Sequence, residues 1–129
     1  MREATRTPVL GIFSSAVLAA LGRAEKFGVI AIVSASKARH MLALRALGVE
    51  ARLADEIALD VSMQTLLDPV ATRARMQDAA RALVSAGAGA VVLGCAGMAH
   101  MRDAVEQACG VPVIEPCQAA AAAALGIVL

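Results

Sequence analysis

Cys95 is the residue of this chain best placed to do chemistry. It follows the run Ala90-Val91-Val92-Leu93-Gly94 and precedes Ala96-Gly97-Met98. A buried parallel strand reads as a continuous apolar run of this kind, and a glycine punctuates the turn after it. The pattern therefore puts Cys95 where a strand hands over to a helix, on the edge of an open α/β sheet where ligands bind. A thiol beside a helix N-terminus feels backbone N–H groups and the positive end of the helix dipole, both of which favour its thiolate. Held there, it is a base aimed at a carbon acid.

The same edge is expected to carry Phe13-Ser14, Ser34-Ala35-Ser36 and Pro116-Cys117, because parallel strands all end on one side. Ser34, Ala35, Ser36, Gly94, Ala96 and Gly97 form the expected substrate-binding set. Their side chains are small, and their N–H and hydroxyl groups suit a carboxylate or an imide-like carbonyl without an arginine clamp. Cys117 is a candidate second thiol. Blander readings stand beside each assignment. Ser34 and Ser36 suit an N-cap pair, and Cys109 continues a helical stripe and suits core packing. His100 is expected to face solvent, and Asp55, Glu56 and Asp60 read as a solvated charged loop.

Positioning such an edge requires alternating strands and helices, and the chain supplies them. Pro8 to Phe13 reads as a short strand, followed by a helix capped by Ser14 or Ser15 and ending at Gly22. Phe27 to Val33 is apolar on both faces, as an interior parallel strand must be. Lys37 to Leu47 is helical, with Met41, Leu44 and Leu47 on one side and Gly48 as its stop. Glu50 to Ala54 is a third strand. Asp55 to Asp68 lacks a sustained period and reads as a loop or lid holding at most a short helix. Pro69 opens a long helix to about Ala86 with Met76, Ala80 and Leu83 facing inward. After the Cys95 strand come a helix from Met98 to Cys109, a strand at Val111 to Glu115 and an alanine-rich helix from Cys117. These elements predict a single α/β domain over residues 1–129, an open and mostly parallel sheet of about five strands with helices on both faces.

Composition narrows the chemistry. The 129 residues are 59% hydrophobic but only 2% aromatic, so stacking surfaces for bases or sugars are nearly absent. The net charge is +1 with the basic residues scattered, which speaks against nucleic acid and against a polybasic membrane patch. The uncharged run Ala82 to Ala99 is interrupted by four glycines and reads as helix end, strand and turn rather than a membrane span. The N-terminal apolar run carries Pro8 and a Gly-Ile-Phe-Ser-Ser break that fit an αβ step better than a secretory signal. Three cysteines without metal-ligand spacing suggest reduced thiols and a cytoplasmic setting. No dinucleotide fingerprint, P-loop or HExxH motif is present, so no cofactor and no metal are expected.

Val92-Leu93-Gly94-Cys95-Ala96-Gly97-Met98 resembles the Asp/Glu/hydantoin racemase family. So do Phe27-Gly28-Val29-Ile30-Ala31-Ile32-Val33, the Arg39-His40 helix, Ala58-Leu59-Asp60-Val61-Ser62, and Val111-Pro112-Val113-Ile114-Glu115-Pro116 with Gln118-Ala119-Ala120. Together these match the carboxyl-terminal half of the family. The resemblance implies cofactor-independent racemisation of an amino acid or hydantoin, in which paired cysteines face each other across a cleft between α/β lobes. One removes the α-proton and the other returns it on the opposite face. By this resemblance Cys95 is the second of the pair, and Ser34 and Ser36 match positions that help hold the substrate. The lobe carrying the first cysteine has no counterpart in the sequence, which leaves three readings: a fragment or shortened gene product, two copies each offering Cys95, or substitution by Cys117. In the second reading the chain is a homo-oligomer, which the pseudo-symmetry of full-length relatives makes geometrically feasible. Two alternatives remain at this point: a decarboxylase or isomerase of the same superfamily working with a single thiol, and a catalytically idle module that binds small anions.

Overall fold

A computed structural model describes residues 11–94 and 98–128, so Cys95, Ala96 and Gly97 lie outside the described residues. Four strands form one parallel sheet: β1 (Phe27–Ala31), β2 (Leu53–Ala58), β3 (Ala90–Leu93) and β4 (Val113–Ile114). Their order is β2-β1-β3-β4. The α-helices are α1 (Ile12–Leu21), α2 (Ser36–Leu47), α3 (Met63–Leu66), α4 (Pro69–Ser85), α5 (Arg102–Cys109) and α6 (Pro116–Val128).

Side-chain alternation along the strands divides the core between the faces. Phe27 and Val29 of β1, Ala90 and Val92 of β3 and Ile114 of β4 pack with Ala16, Val17 and Ala20 of α1 and Leu44 of α2. Ile30, Val91, Leu93 and Val113 point the other way, onto Met76, Ala80 and Leu83 of α4 and Val105 of α5. All residues of β1 and β3 are buried. Each fully buried aliphatic side chain contributes about 1.5–3 kcal/mol, so these strands are the part of the sheet hardest to shift. Helices thus cover both faces, as the alternating pattern predicts.

Local chemistry sets the helix ends. Asp68 accepts hydrogen bonds from Val70 N at 3.0 Å and Ala71 N at 3.3 Å, and Pro69 opens the first turn of α4. Gly48 closes α2 at φ 73°, a left-handed geometry that glycine adopts without strain. Close packing fixes another glycine. A Cβ on Gly28 would lie 2.9 Å from Leu83 Cβ, so Gly28 is what lets α4 press against β1. Gly28→Ala is expected to destabilise the fold by about 1–3 kcal/mol, read from its denaturant midpoint; an unchanged midpoint would mean that α4 yields freely.

Several boundaries differ from the sequence reading. Ile12 and Phe13 belong to α1 rather than to a strand, and the N-cap position is Gly11 with no side-chain cap, not Ser14 or Ser15. Ile12, Phe13 and the following alanines form a helix that packs on one face of the sheet, which an isolated apolar run does not reveal. Residues 8–10 of the expected strand lie outside the described residues. Glu50–Arg52 is a 3₁₀ turn, and the strand expected at Glu50 to Ala54 runs instead over Leu53–Ala58. Asp55 and Glu56 are therefore in β2, not in a loop; the edge strand is only partly covered and mixes polar with apolar residues, which hides its period. The short helix anticipated in that region is α3. Ala99–Met101 forms a 3₁₀ turn ahead of α5, so the helix expected from Met98 starts later.

Candidate functional site

The strand order places a switch point between β1 and β3. From β1 the chain moves outward to β2, then returns past β1 to β3 and β4, so the connections leave the ends of β1 and β3 in opposite directions. The crevice outside the carboxyl ends of such a strand pair is where ligands bind in sheets of this kind. Val33 to Ser36 follows β1 and Gly94 follows β3, with Gly94 N donating to Ile30 O at 2.8 Å. Cys95 is the next residue in the chain after Gly94.

The structure sets Ser34 by an acid rather than by a helix cap. Asp60, past the end of β2, accepts from Ser34 N at 2.8 Å and also from the Ser34 hydroxyl. Asp60 sits at φ 47°, a left-handed conformation that Asp tolerates better than most residues. Its own N–H donates to Ile32 O at 2.9 Å, so the β2 end is tied to the β1 end. The N-cap reading of Ser34 and Ser36 fails. Ala35 occupies the cap position of α2, no side chain caps it, and Ser36 is the first helical residue. Ser34 and Ala35 are exposed and Ser36 is half-buried.

Hydrogen bonds from Ser34 to Asp60 hold that carboxyl below its ordinary value, the hydroxyl contributing most, the backbone N–H next and Lys37 adding charge attraction; partial desolvation opposes them. A carboxylate with a depressed folded value stabilises the fold above its unfolded value and loses that contribution as pH falls through the folded one. The Ser34–Asp60 tether is accordingly expected to hold at neutral and mildly acidic pH and to release only below about pH 4. Following the Ser34 amide resonance during acid titration checks this. Release near pH 6 would contradict it.

The edge offers fewer open N–H groups than the sequence suggests. Besides Ser34 N, Ser36 N donates to Val33 O and Lys37 N to Ser34 O, both at 3.1 Å. At α6, the buried Glu115 carboxylate accepts from Cys117 N at 3.1 Å and Gln118 N at 2.7 Å. Cys117 is exposed in the first turn of α6, and its thiol is pushed up by desolvation, by the Glu115 charge and by a hydrogen bond to it. Cys109 is half-buried and packs against the core; its thiol lies 3.8 Å from Glu106 O and 3.7 Å from Val111 O. His100 is exposed. These last placements agree with a packing role for Cys109 and a solvated His100.

One pair of residues beneath the edge was not singled out from the sequence. His40 of α2 and Glu56 of β2 are 3% and 7% exposed, with His40 Nδ1 2.5 Å from Glu56 Oε2. The imidazole stacks on Phe13 at 4.4 Å between ring centroids. A Cβ built on Gly94 would meet His40 Cε1 and Ile30 O at 2.9 Å each, so the ring lies directly against the turn that leads to Cys95. Glu56 is therefore a buried partner, not part of a solvated loop. A signal was present: His40 precedes Leu44 by one helical turn and Leu47 by two, on the buried side of α2.

A parallel sheet covered by helices on both faces, with a switch point between β1 and β3, defines an open α/β fold. The chain belongs to the Asp/Glu/hydantoin racemase family, whose description matches residues 1–124. It is 35% identical over 121 residues to the hydantoin racemase of Rhizobium meliloti, covering 92% of this chain and 50% of that protein. The hydantoin racemase of Pseudomonas sp. (strain NS671) is 33% identical over 88% of this chain and 47% of its own length. The crystal structure of allantoin racemase from Pseudomonas fluorescens superposes with a TM-score of 0.85 at 27% identity, covering 94% of this chain and 52% of that one. The chain thus spans about half the length of these relatives.

Proposed function

We propose that this chain performs cofactor-independent proton transfer at a carbon alpha to a carbonyl, as one lobe of an amino-acid or hydantoin racemase, with Cys95 as the acid/base. The observation that carries the reading is the position of Gly94, the residue before Cys95 in the chain, at the β1/β3 switch point of a fold shared with an allantoin racemase structure, in a chain homologous to hydantoin racemases. A thiolate on one face removes the α-proton, and a thiol on the other face donates one. Ser34, Ala35, Ser36, Gly94, Ala96 and Gly97 hold the carboxylate or imide. Asp60 fixes Ser34 so that its hydroxyl presents the remaining oxygen lone pairs to a substrate N–H.

The opposing thiol comes from Cys95 of a second copy. Cys117 is the weaker candidate because its thiol is pushed up beside Glu115, which lowers its thiolate fraction at neutral pH. Ile12 and Leu18 on α1 and Leu125 on α6 are large exposed hydrophobics on helices that pack together, which supports association. We further propose a cytoplasmic setting in which the thiols stay reduced. Among the described residues no helix is long and apolar enough to cross a membrane.

The test is exchange of the α-proton in deuterated buffer with enantiopure 5-substituted hydantoins, aspartate and glutamate, followed by mixing with Cys95→Ser chains. If each site needs a thiol from two copies, activity falls with the square of the wild-type fraction. A linear fall would assign both steps to one chain, with Cys117 as the second thiol. Decarboxylation of an aryl- or alkylmalonate without racemisation would favour the single-thiol reaction, and no reaction with any of these would leave an anion-binding lobe.

A further inference from the structure

β4 lies at one edge of the sheet, and an edge strand invites pairing with another chain through its outward N–H and C=O groups. In a parallel ladder alternate residues turn toward the neighbouring strand. Val91 N donates to Pro112 O at 2.9 Å, which leaves the next residue, Val113, with its backbone groups facing outward. Both of them are occupied. Val113 N donates to Glu106 Oε1 at 3.0 Å, and Val113 O accepts from Arg102 Nη1 at 3.4 Å. An acceptor and a donor, one helical turn apart on α5, thus stand where a fifth strand would place its carbonyl and its N–H. The two side chains also pair with each other at 3.5 Å, and Asp103 Oδ1 holds the other guanidinium nitrogen at 2.8 Å. Anchoring α5 does not need this arrangement. Val105 is buried in the core, Gln77 of α4 donates to Ala104 O at 3.1 Å, and a partly exposed Arg–Glu pair adds little by itself. The opposite edge of the sheet is treated alike: on β2 the outward N–H of Glu56 donates to Asp55 Oδ1 at 2.8 Å.

We propose that Arg102 and Glu106 form a strand guard, which closes the β4 edge against a strand from a second copy of this chain. A groove of about 190 Å³ runs beside that edge, lined by Arg102 and Val113 together with Ala19 of α1 and Gln118 and Ala119 of α6. The same two helices expose Leu18 and Leu125, so apolar contact draws a second copy toward this side of the molecule. With Arg102 and Glu106 seated on Val113, an approaching strand finds neither a donor nor an acceptor to pair with. Contact between copies therefore stays between helices and does not extend the sheet. The inference is independent of the chemistry assigned to Cys95.

The test follows hydrogen exchange at the Val113 amide in an Arg102→Ala/Glu106→Ala chain, in dilute and in concentrated solution, beside sedimentation velocity of the same samples. In dilute solution the amide is expected to exchange about tenfold faster than in the unsubstituted chain, the loss of one hydrogen bond to a charged group. In concentrated solution its protection should return, because a second copy's strand now covers it, and a species larger than any formed by the unsubstituted chain should sediment. Glu106→Gln keeps an acceptor for Val113 N–H and should exchange and sediment like the unsubstituted chain. If the double variant does not fold, Glu106→Ala alone frees the same N–H and is read in the same way. In a variant with wild-type circular dichroism, a Val113 amide as slow as before in dilute solution would overturn the proposal. So would an amide that stays exposed at high concentration, whether or not the chains associate.

Discussion

Cys95→Ala is expected to remove α-proton exchange, with a loss on the order of 10²–10⁴-fold or more, the range that a positioned acid/base group contributes. Neither Cys109 nor Cys117 is expected to replace it. Cys109 lies at the carboxyl end of α5, where its thiol faces the carbonyls of Glu106 and Val111, so it belongs to the opposite end of the sheet from the β3 turn. Cys109→Ser should leave exchange intact. Cys117 shares the productive edge, but the Glu115 carboxylate that accepts from its backbone N–H also disfavours its thiolate. Cys117→Ser is thus expected to retain exchange toward both enantiomers. Loss of exchange from one enantiomer only would make Cys117 the second base. Rates measured by proton NMR in deuterated buffer distinguish these outcomes.

Gly94→Ala is the second large effect, and its cause is backbone rather than side chain. The added Cβ would stand 2.9 Å from Ile30 O, 2.9 Å from His40 Cε1 and 3.3 Å from Val29 Cγ1. Ile30 O has little freedom to retreat, because it accepts the Gly94 N–H at 2.8 Å and closes the β1–β3 ladder. The ring of His40 is caught between Phe13 and its bond to Glu56. Overpacking at such a site costs about 1–3 kcal/mol. Gly94 must then shift, carrying with it the next residue in the chain, and a displacement near 1 Å at a reacting group costs about 10²-fold in rate. A denaturant series and an exchange assay on one preparation check both consequences. An unchanged stability with full exchange would show that the β3 turn does not need glycine.

The sequence shows most clearly what is continuous in it. β1 and β3 are legible because an interior parallel strand has no exposed face to interrupt its apolar run. The start of α4 is legible because Asp68-Pro69 carries both a cap and a fixed φ. β2 is obscured for the opposite reason. It is an edge strand whose buried Glu56 looks polar along the chain, and the partner that makes burial tolerable is sixteen residues away on another element. The start of α1 is obscured because a few apolar residues serve a strand or a helix equally well until their packing face is known. The candidate site divides along the same line. Ser34 and Cys95 are candidates because each comes shortly after a strand in the chain, a relation that the sequence itself displays. Asp60 with Ser34 and His40 with Glu56 pair between different elements, and a pairing distant in sequence leaves no local period.

The central claim is that proton transfer at Cys95 occurs on one face of the substrate and is completed by a thiol on the other. The most direct measurement follows an enantiopure 5-substituted hydantoin in deuterated buffer at early times, with the isotope content of each enantiomer read separately. The expected result is deuterium at the α-carbon of the newly formed enantiomer while the remaining substrate keeps its proton, with no deuterated product formed by Cys95→Ala. Unchanged optical rotation with the α-proton retained in the substrate, from a folded chain with Cys95 intact, would contradict it.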